Sequence, residues 1–465
     1  MSEPPVPASA APPVHLRRVL GVPSLVVFGL AYMVPLTVFT TYGIVTDLTA
    51  GHLPLAYVVT TAAMLFTAYS YGRMVRARPS AGSAYAYTRT AFGARTGFLV
   101  GWALLLDYVF LPMINYLVIG IYLHEAVPAV PAAAWVLLAI AVVTVLNVLG
   151  IDTVSRLNVV LLAVQGVFLV VFVLAAVRAL GRTGTPSLTA PFWSEGTHLP
   201  AVLAGSAILC LSFLGFDAVS TLAEEARDPR RTIPRAIVLS ALIGGVLFIV
   251  IAWISHLVLP GHTFADVDSA SLDVMAAAGG KFLQVFFTAA YVAGCFASAM
   301  ASQASVSRIL YAMGRDRVLP RRFFGVLHAR WHTPVVAVVV VGVLSCSALL
   351  IGLDLAAAMV SFGALVAFSF VNLSVIKHYV VDQHRRSARD VVLFAVLPGV
   401  GVVLTLWLWT SLSRTTFVVG LTWLAVGLVY LLGLTRMFRR PVPELALDEA
   451  DTSPAPATTP AGTTR

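Results

Sequence analysis

The residue of this sequence best placed to do chemistry is an acid inside an apolar run. The stretch from Phe213 to Pro234, FLGFDAVSTLAEEARDPRRTIP, sets Asp217 two residues after Gly215 and between flanking apolar segments. A carboxylate at a bilayer centre costs about 2.5–3.5 kcal/mol on insertion scales, so an intramembrane acid generally faces a cavity and acts there. Such a group can hold a cation or take and give a proton. A second acid, Asp107, stands beside Tyr108 in another apolar run. Adjacent helical residues point about 100° apart, so the two side chains need not face one cavity.

These residues need a bilayer around them, and the composition supplies one. Of the 465 residues 59% are hydrophobic and 11% charged, with a mean hydropathy of +0.91, which places the chain in a membrane. About twelve windows are long enough to cross roughly 30 Å of hydrocarbon as helices. They fall near 23–48, 54–75, 98–124, 132–150, 156–180, 200–225, 233–259, 280–313, 334–353, 354–380, 390–411 and 415–436.

With a cytoplasmic amino terminus, seventeen basic residues fall inside, among them Arg17, Arg18, Arg73, Arg76, Arg78, Arg156, Arg315, Arg317, Lys377, Arg439 and Arg440. Only Arg178, Arg182, Lys281 and Arg414 fall outside. The net charge of +9 therefore reads as topology, with both termini inside, and not as a nucleic-acid surface. Cys210, Cys295 and Cys346 sit singly in apolar spans, which indicates neither a disulfide framework nor a metal site. Residues 1–15 lack the pattern of a cleavable signal, so the first span is expected to be retained. Segments 1–18 and 441–465 read as disordered tails.

Two spans are interrupted at comparable places, the first by Pro35 and the sixth by Gly215. Five spans separate the breaks, and a repeat of odd length must insert upside down. Proline removes a backbone donor and glycine tolerates unusual dihedrals, so both open a helix to a ligand. Between the second and third spans, RARPSAGSAYAYTR is too polar to cross and carries Tyr85 and Tyr87, which suits a re-entrant or interfacial helix.

PSAGSAYAY and GFDAVSTLAEEARDPRRTIP resemble the two most recognisable segments of the amino acid, polyamine and organocation (APC) transporter superfamily. DYVFLPMINYLVIGIYL, ASVSRILYAMGRDRVLP, SFGALVAFSFVNLSV and GLAYMVPLTVF are similar, more narrowly, to bacterial putrescine importers of the PuuP type. The resemblance implies an all-α membrane fold with a LeuT-type five-plus-five inverted repeat, broken helices 1 and 6, and two extra helices. The permease domain would then span 19–440, with repeats near 20–180 and 200–380 and the last two helices near 390–436. It also implies a bacterial plasma-membrane importer working by alternating access on an ion gradient. Amino-acid carriers of the superfamily place a glycine-rich triplet at the first break, whose amides hold the substrate carboxylate. Here Pro35, Leu36 and Thr37 stand there, which suits a diamine better than an α-amino acid. An amino-acid symporter or a polyamine/amino-acid exchanger is the competing reading.

Putrescine carries two ammonium groups on four methylenes, so its site needs acceptors or ring faces at both ends. Burial of the stem contributes up to about 0.8 kcal/mol per methylene. Tyr32, Met33 and Thr37 lie nearest the first break, and Phe213 and Phe216 flank Gly215. Asp107, Tyr108 and Asp217 complete the candidate substrate residues. Three roles are open to Asp217: accepting an ammonium, carrying the coupling proton, or linking the broken helix to a gate. Glu224 and Glu225 form either a solvated cluster with Arg227, Arg230 and Arg231 or, by the resemblance, part of an inner gate.

Asn115 reads as an interhelical hydrogen-bonding residue and His256 as a packing residue at an outer helix end. Ser298 and Ser302 suit close packing, or a sodium site against opened carbonyls. Gln165 occupies the fifth span where some superfamily members carry a lysine, so proton coupling through that position is not expected. By family analogy a proton is still preferred to sodium, carried by Asp217 or another acid. Asp266, Asp268 and Asp273 give an outer loop negative character that could steer dications. No nucleophile–base pair, cofactor motif or pore motif is present in the sequence, which argues against an enzyme or a channel.

Overall fold

The computed structural model describes residues 18–80, 82–184, 186–261, 264, 270–315, 317–350, 353–410, 412 and 414–437. Arg17, Ala81, Asp266, Asp268, Arg439, Arg440 and the bulk of both tails lie outside the described residues. The described chain is all-helical, apart from one isolated bridge between Leu20 and Ala226. Among the described residues eleven helices are long and apolar enough to cross a membrane, and a shorter apolar helix, Val335–Leu350, stands ninth in chain order. The chain is a multi-pass membrane protein.

The spans sort by burial into a core and a periphery. The first (Val22–Thr40), third (Ala94–His124) and tenth (Met359–Asp382) are each 67% buried by protein, whereas the fifth (Ile151–Arg182) is 22% buried and the twelfth (Arg414–Leu434) 17%. The candidate residues on the first and third spans therefore stand in the interior. The second span (Leu53–Ala77) packs along the seventh (Pro229–Val258), and the fifth packs along the eighth (Ala270–Arg315). A kink at Gly280, φ +67°, divides the eighth into a short first segment and the long span that continues to Arg315.

Both expected breaks are present. The first helix runs Val22–Met33 and stops where Val34 takes φ +52° ahead of Pro35, whose ring cannot continue the α-helical ladder. It restarts as the short helices Thr37–Thr40 and Tyr42–Leu48. The sixth span (Leu199–Leu222) is α-helical over Leu199–Leu209, tightens to 3-10 geometry over Cys210–Phe213, and breaks at Gly215, φ +122°. That dihedral is open to glycine and strained for any side chain. A second 3-10 segment, Asp217–Leu222, follows the break.

Ser83–Phe92 is a helix between the second and third spans. Its Tyr85 and Tyr87 are both fully buried against the bundle. The aromatic residues that suggested an interface instead fill the core beneath the sixth-span break.

Candidate functional site

The two breaks touch. A Cβ added to Gly215 would lie 2.3 Å from Cδ1 of Tyr32 and 2.8 Å from its Cβ, so the sixth-span backbone lies directly on the ring that ends the first helix. Tyr32 meets Tyr108 of the third span edge-on, with centroids 6.3 Å apart and planes at 86°. Three separate spans thereby converge on one point.

Asp217 stands at that point, 1% exposed. Its Oδ2 accepts from the Tyr108 hydroxyl at 2.7 Å and its Oδ1 from the Gly215 amide at 3.3 Å. Both donors lie outside the 3-10 segment that Asp217 begins, one on the third span and one at the break itself. Asp107 is also buried and lies within electrostatic reach of Asp217. Among the described residues its Oδ1 has no hydrogen-bond partner, and neither does the hydroxyl of Tyr32. Tyr32 and Tyr71 both lie within electrostatic reach of the two carboxylates. An orphaned buried polar atom costs about 1–3 kcal/mol, so this pair of them favours a polar occupant.

Aromatic rings wall the same place. Phe216 stacks on Phe368 of the tenth span at 5.6 Å, and Tyr71 of the second span meets Phe216, Tyr87 and Phe368 edge-on at 6.1–6.2 Å. Ser220 donates to Ser83 at 2.8 Å, tying the inner part of the sixth span to the Ser83–Phe92 helix. Buried acids among ring faces have the chemistry to hold a cationic group.

Three candidates do not join this cluster directly. The Met33 side chain ends against Gly244, where an added Cβ would meet its Cε at 2.5 Å, so Met33 faces the seventh span. Phe213 packs edge-on against Phe248 of the seventh span at 5.4 Å. Thr37 closes the break itself: its hydroxyl donates to Met33 O at 3.1 Å and its amide to Val34 O at 2.9 Å. Ser298 likewise donates to Tyr32 O at 2.7 Å while accepting from Asn115 at 3.0 Å, and Ser302 donates to Ser298 O. The carbonyls freed at residues 32, 33 and 34 thus each accept an internal hydrogen bond.

The acidic pair has other partners than the expected neighbouring arginines. Glu225 forms a bidentate pair with Arg308 of the eighth span, at 2.8 and 3.0 Å, with both side chains at most 4% exposed. Glu224 reaches Arg315 at 2.9 Å at a partly exposed position. Of the nearby loop cations, Arg231 pairs with Asp228. The Leu20 amide donates to Glu225 O at 3.0 Å and the Arg227 amide to Leu20 O at 2.9 Å, which clamps the chain before the first helix to the loop after the sixth. On the opposite side Thr40 bonds Tyr291 at 2.7 Å, and Phe39 packs against Phe168, Phe172 and Phe287. The central cluster is closed from both ends.

Sequence reasoning missed Tyr71, Phe368 and Arg308. The two rings sit in apolar spans with no local signal, whereas the arginine inside ASVSRILYAM could have been found as a buried charge in need of a partner. His256 packs beneath the turn at Gly51, and Asp273 is exposed at the start of the eighth helix.

A helical bundle with two touching helix breaks around buried acids is the architecture of a membrane transporter, and the comparisons agree. Residues 24–432 match the family model for amino acid permeases. The chain belongs to that family, within the APC superfamily. It is 42% identical over 93% of its length to the low-affinity putrescine importer PlaP of Escherichia coli strain K12, covering 96% of that protein. It is 29% identical to the branched-chain amino acid permease BcaP of Bacillus subtilis strain 168, over 89% of this chain and 92% of the relative. A methylthioribose transporter of the same Bacillus strain is 25% identical over 90% of this chain and 93% of its own length.

Proposed function

We propose that this chain imports putrescine or a closely similar short diamine across a bacterial plasma membrane. The Tyr108–Asp217 bond of 2.7 Å at the meeting of the two breaks carries this reading, because it presents an oriented carboxylate beneath the ring of Tyr32. One ammonium group is held by Asp217 with Tyr108 and Tyr32. The other is held on the side of Asp107, and Phe216 and Tyr71 cover the methylene stem. The 42% identity to PlaP supports the same substrate class.

Import proceeds by alternating access, with both termini cytoplasmic. The Glu225–Arg308 pair and the Leu20 clamp form the inner closure, and a proton moves with the amine. Asp217 is the proposed proton carrier as well as a ligand. The inverted-repeat organisation, with halves near 20–180 and 200–380, is part of this reading and rests on the matched breaks at Pro35 and Gly215.

An amino-acid substrate is favoured by the 29% identity to BcaP and by the matched family model, that of amino acid permeases. The first break opposes it. Pro35 has no amide hydrogen, the Thr37 amide already donates to Val34 O, and Leu36 is fully buried at the turn. A carboxylate finds few donors there.

Labelled putrescine uptake into proteoliposomes, with proton, sodium and electrical gradients imposed separately and ornithine and spermidine as competitors, tests the reading. Accumulation driven by the proton gradient and weak competition by ornithine are expected. Absence of accumulation under every gradient sinks it, and strong preference for ornithine replaces it with the exchanger.

A further inference from the structure

Arg178 and Arg182 stand one helical turn apart near the end of the fifth span and line a cavity of about 550 Å³ between that span and the eighth. Like charges at this spacing repel each other. Among the described residues no acid lines the cavity, and neither guanidinium forms an ion pair. Asp273 is exposed one turn before the lining residues Ala276 and Ala277 but is not part of the wall. Lys281, just past the kink at Gly280, adds a further exposed cation.

Depth sets these arginines at the level of lipid headgroups. Between Arg156 and Arg178 the fifth span carries no charged residue. That interval rises about 33 Å at 1.5 Å per residue, close to the roughly 30 Å of a hydrocarbon core. The remainder of the wall lies deeper and is apolar. Val171 is about 10 Å below Arg178 by the same rise, and it lines the cavity with Ala175, Phe282 and Leu283. Leu174, Val177 and Phe282 flank the two walls at 62–70% exposure, so the mouth faces lipid. The two helices meet where a Cβ added to Gly279 would stand 3.5 Å from Cβ of Ala175. Beside that contact the kink leaves open space, since a Cβ at Gly280 would meet nothing within 4 Å.

Charge and shape together select the occupant. Two guanidinium groups repel a diamine, so the cavity is no antechamber to the amine site. A small free anion would satisfy the arginines and leave the apolar depth empty. A phospholipid satisfies both parts, with its phosphate at the guanidinium level and an acyl chain along Val171 and Phe282. A choline or ethanolamine headgroup would bring an ammonium beside Arg178, Arg182 and Lys281, which disfavours a zwitterionic lipid.

We propose that this cavity binds one anionic phospholipid, held by Arg178 and Arg182 through its phosphate and by the apolar depth through one acyl chain. The lipid bridges the fifth span to the short segment before the Gly280 kink. The site is apart from the amine cluster, and the inference stands whether or not the chain carries putrescine.

The test titrates the full-length protein, purified in detergent, with phosphatidylglycerol or phosphatidylcholine and counts retained lipid by native mass spectrometry. The unaltered protein should retain one phosphatidylglycerol in preference to phosphatidylcholine. Arg178→Gln with Arg182→Gln should bind it roughly 30-fold more weakly. Arg414→Gln, which removes an exposed arginine at the start of the twelfth span, should bind it normally. Equal binding by the double variant overturns the site, and so does an equal loss in Arg414→Gln, which would assign the effect to overall charge. Absence of preference over phosphatidylcholine overturns the anionic headgroup. Displacement of the lipid by inorganic phosphate alone marks a free-anion site and overturns the lipid. A second variant, Ala277→Trp, fills the cavity and keeps both arginines. It should lose the retained phosphatidylglycerol, and retention there overturns the proposal even where the double variant does not fold.

Discussion

The Tyr108 hydroxyl holds Oδ2 of Asp217 at 2.7 Å, and this one bond fastens the third span to the break in the sixth. It leaves the carboxylate oriented by two donors, since Oδ1 accepts from Gly215. A cation arriving at Asp217 therefore meets a group already positioned, so little ordering entropy opposes binding.

Tyr108→Phe removes that donor and keeps the ring packed on Tyr32. A hydrogen bond to a charged group contributes about 1.5–3 kcal/mol, so the unfolding temperature should fall, and putrescine affinity should fall by roughly 10- to 100-fold because the amine relies on the same oriented carboxylate. Equilibrium binding alongside thermal unfolding checks this. Unchanged affinity would remove Tyr108 from the site.

Gly215→Ala should be far more damaging than its size suggests. The new Cβ would lie 2.3 Å from the Tyr32 ring on a backbone at φ +122°. Strain of this kind costs on the order of 1–3 kcal/mol before the clash is counted. A lowered unfolding temperature and lost uptake are expected, and shrinking Tyr32 should restore only part of the stability because the dihedral strain remains.

The two acidic residues should differ in weight. Breaking a buried pair by removing one partner costs about 3–5 kcal/mol, whereas partly exposed pairs contribute about 0–1 kcal/mol. Glu225→Gln, which strands Arg308, should open the inner side and raise cytoplasmic labelling of a cysteine placed near Leu20. Glu224→Gln should change labelling little. Equal effects of the two would contradict the assignment of Glu225 to the inner closure.

Trp102 and Trp423 exchange reciprocal bonds, each ring nitrogen donating to the other's carbonyl at 3.0 and 2.7 Å, with their rings stacked 5.0 Å apart. A Cβ on Gly427 would meet Trp102 Cδ1 at 2.3 Å. Gly427→Ala should loosen the twelfth span and lower the unfolding temperature while leaving the order of substrate preference intact. Competition assays on the variant at permissive temperature test the second half of that statement.

The helices and both breaks were legible because their signals are local. Hydropathy marks a span, and Pro35 and Gly215 act on their own backbone. Asp217 was legible as a candidate for the same reason, a polar group isolated in apolar sequence, and Tyr108 through the resemblance to the putrescine importers. Contacts between distant spans were not. Nothing near Tyr71 announces that it meets Phe216, and Glu225 is separated from Arg308 by the whole seventh span and most of the eighth. Met33 shows the converse limit, since closeness in sequence to a break did not place its side chain in the cluster.

The most direct test of the account is accumulation of labelled putrescine in proteoliposomes by the unaltered protein and by Asp217→Asn, measured side by side under a proton gradient. The unaltered protein should concentrate putrescine, and the variant should fold, insert and fail to do so. Equal accumulation by the two would contradict the central claim that Asp217 holds the amine and carries its proton.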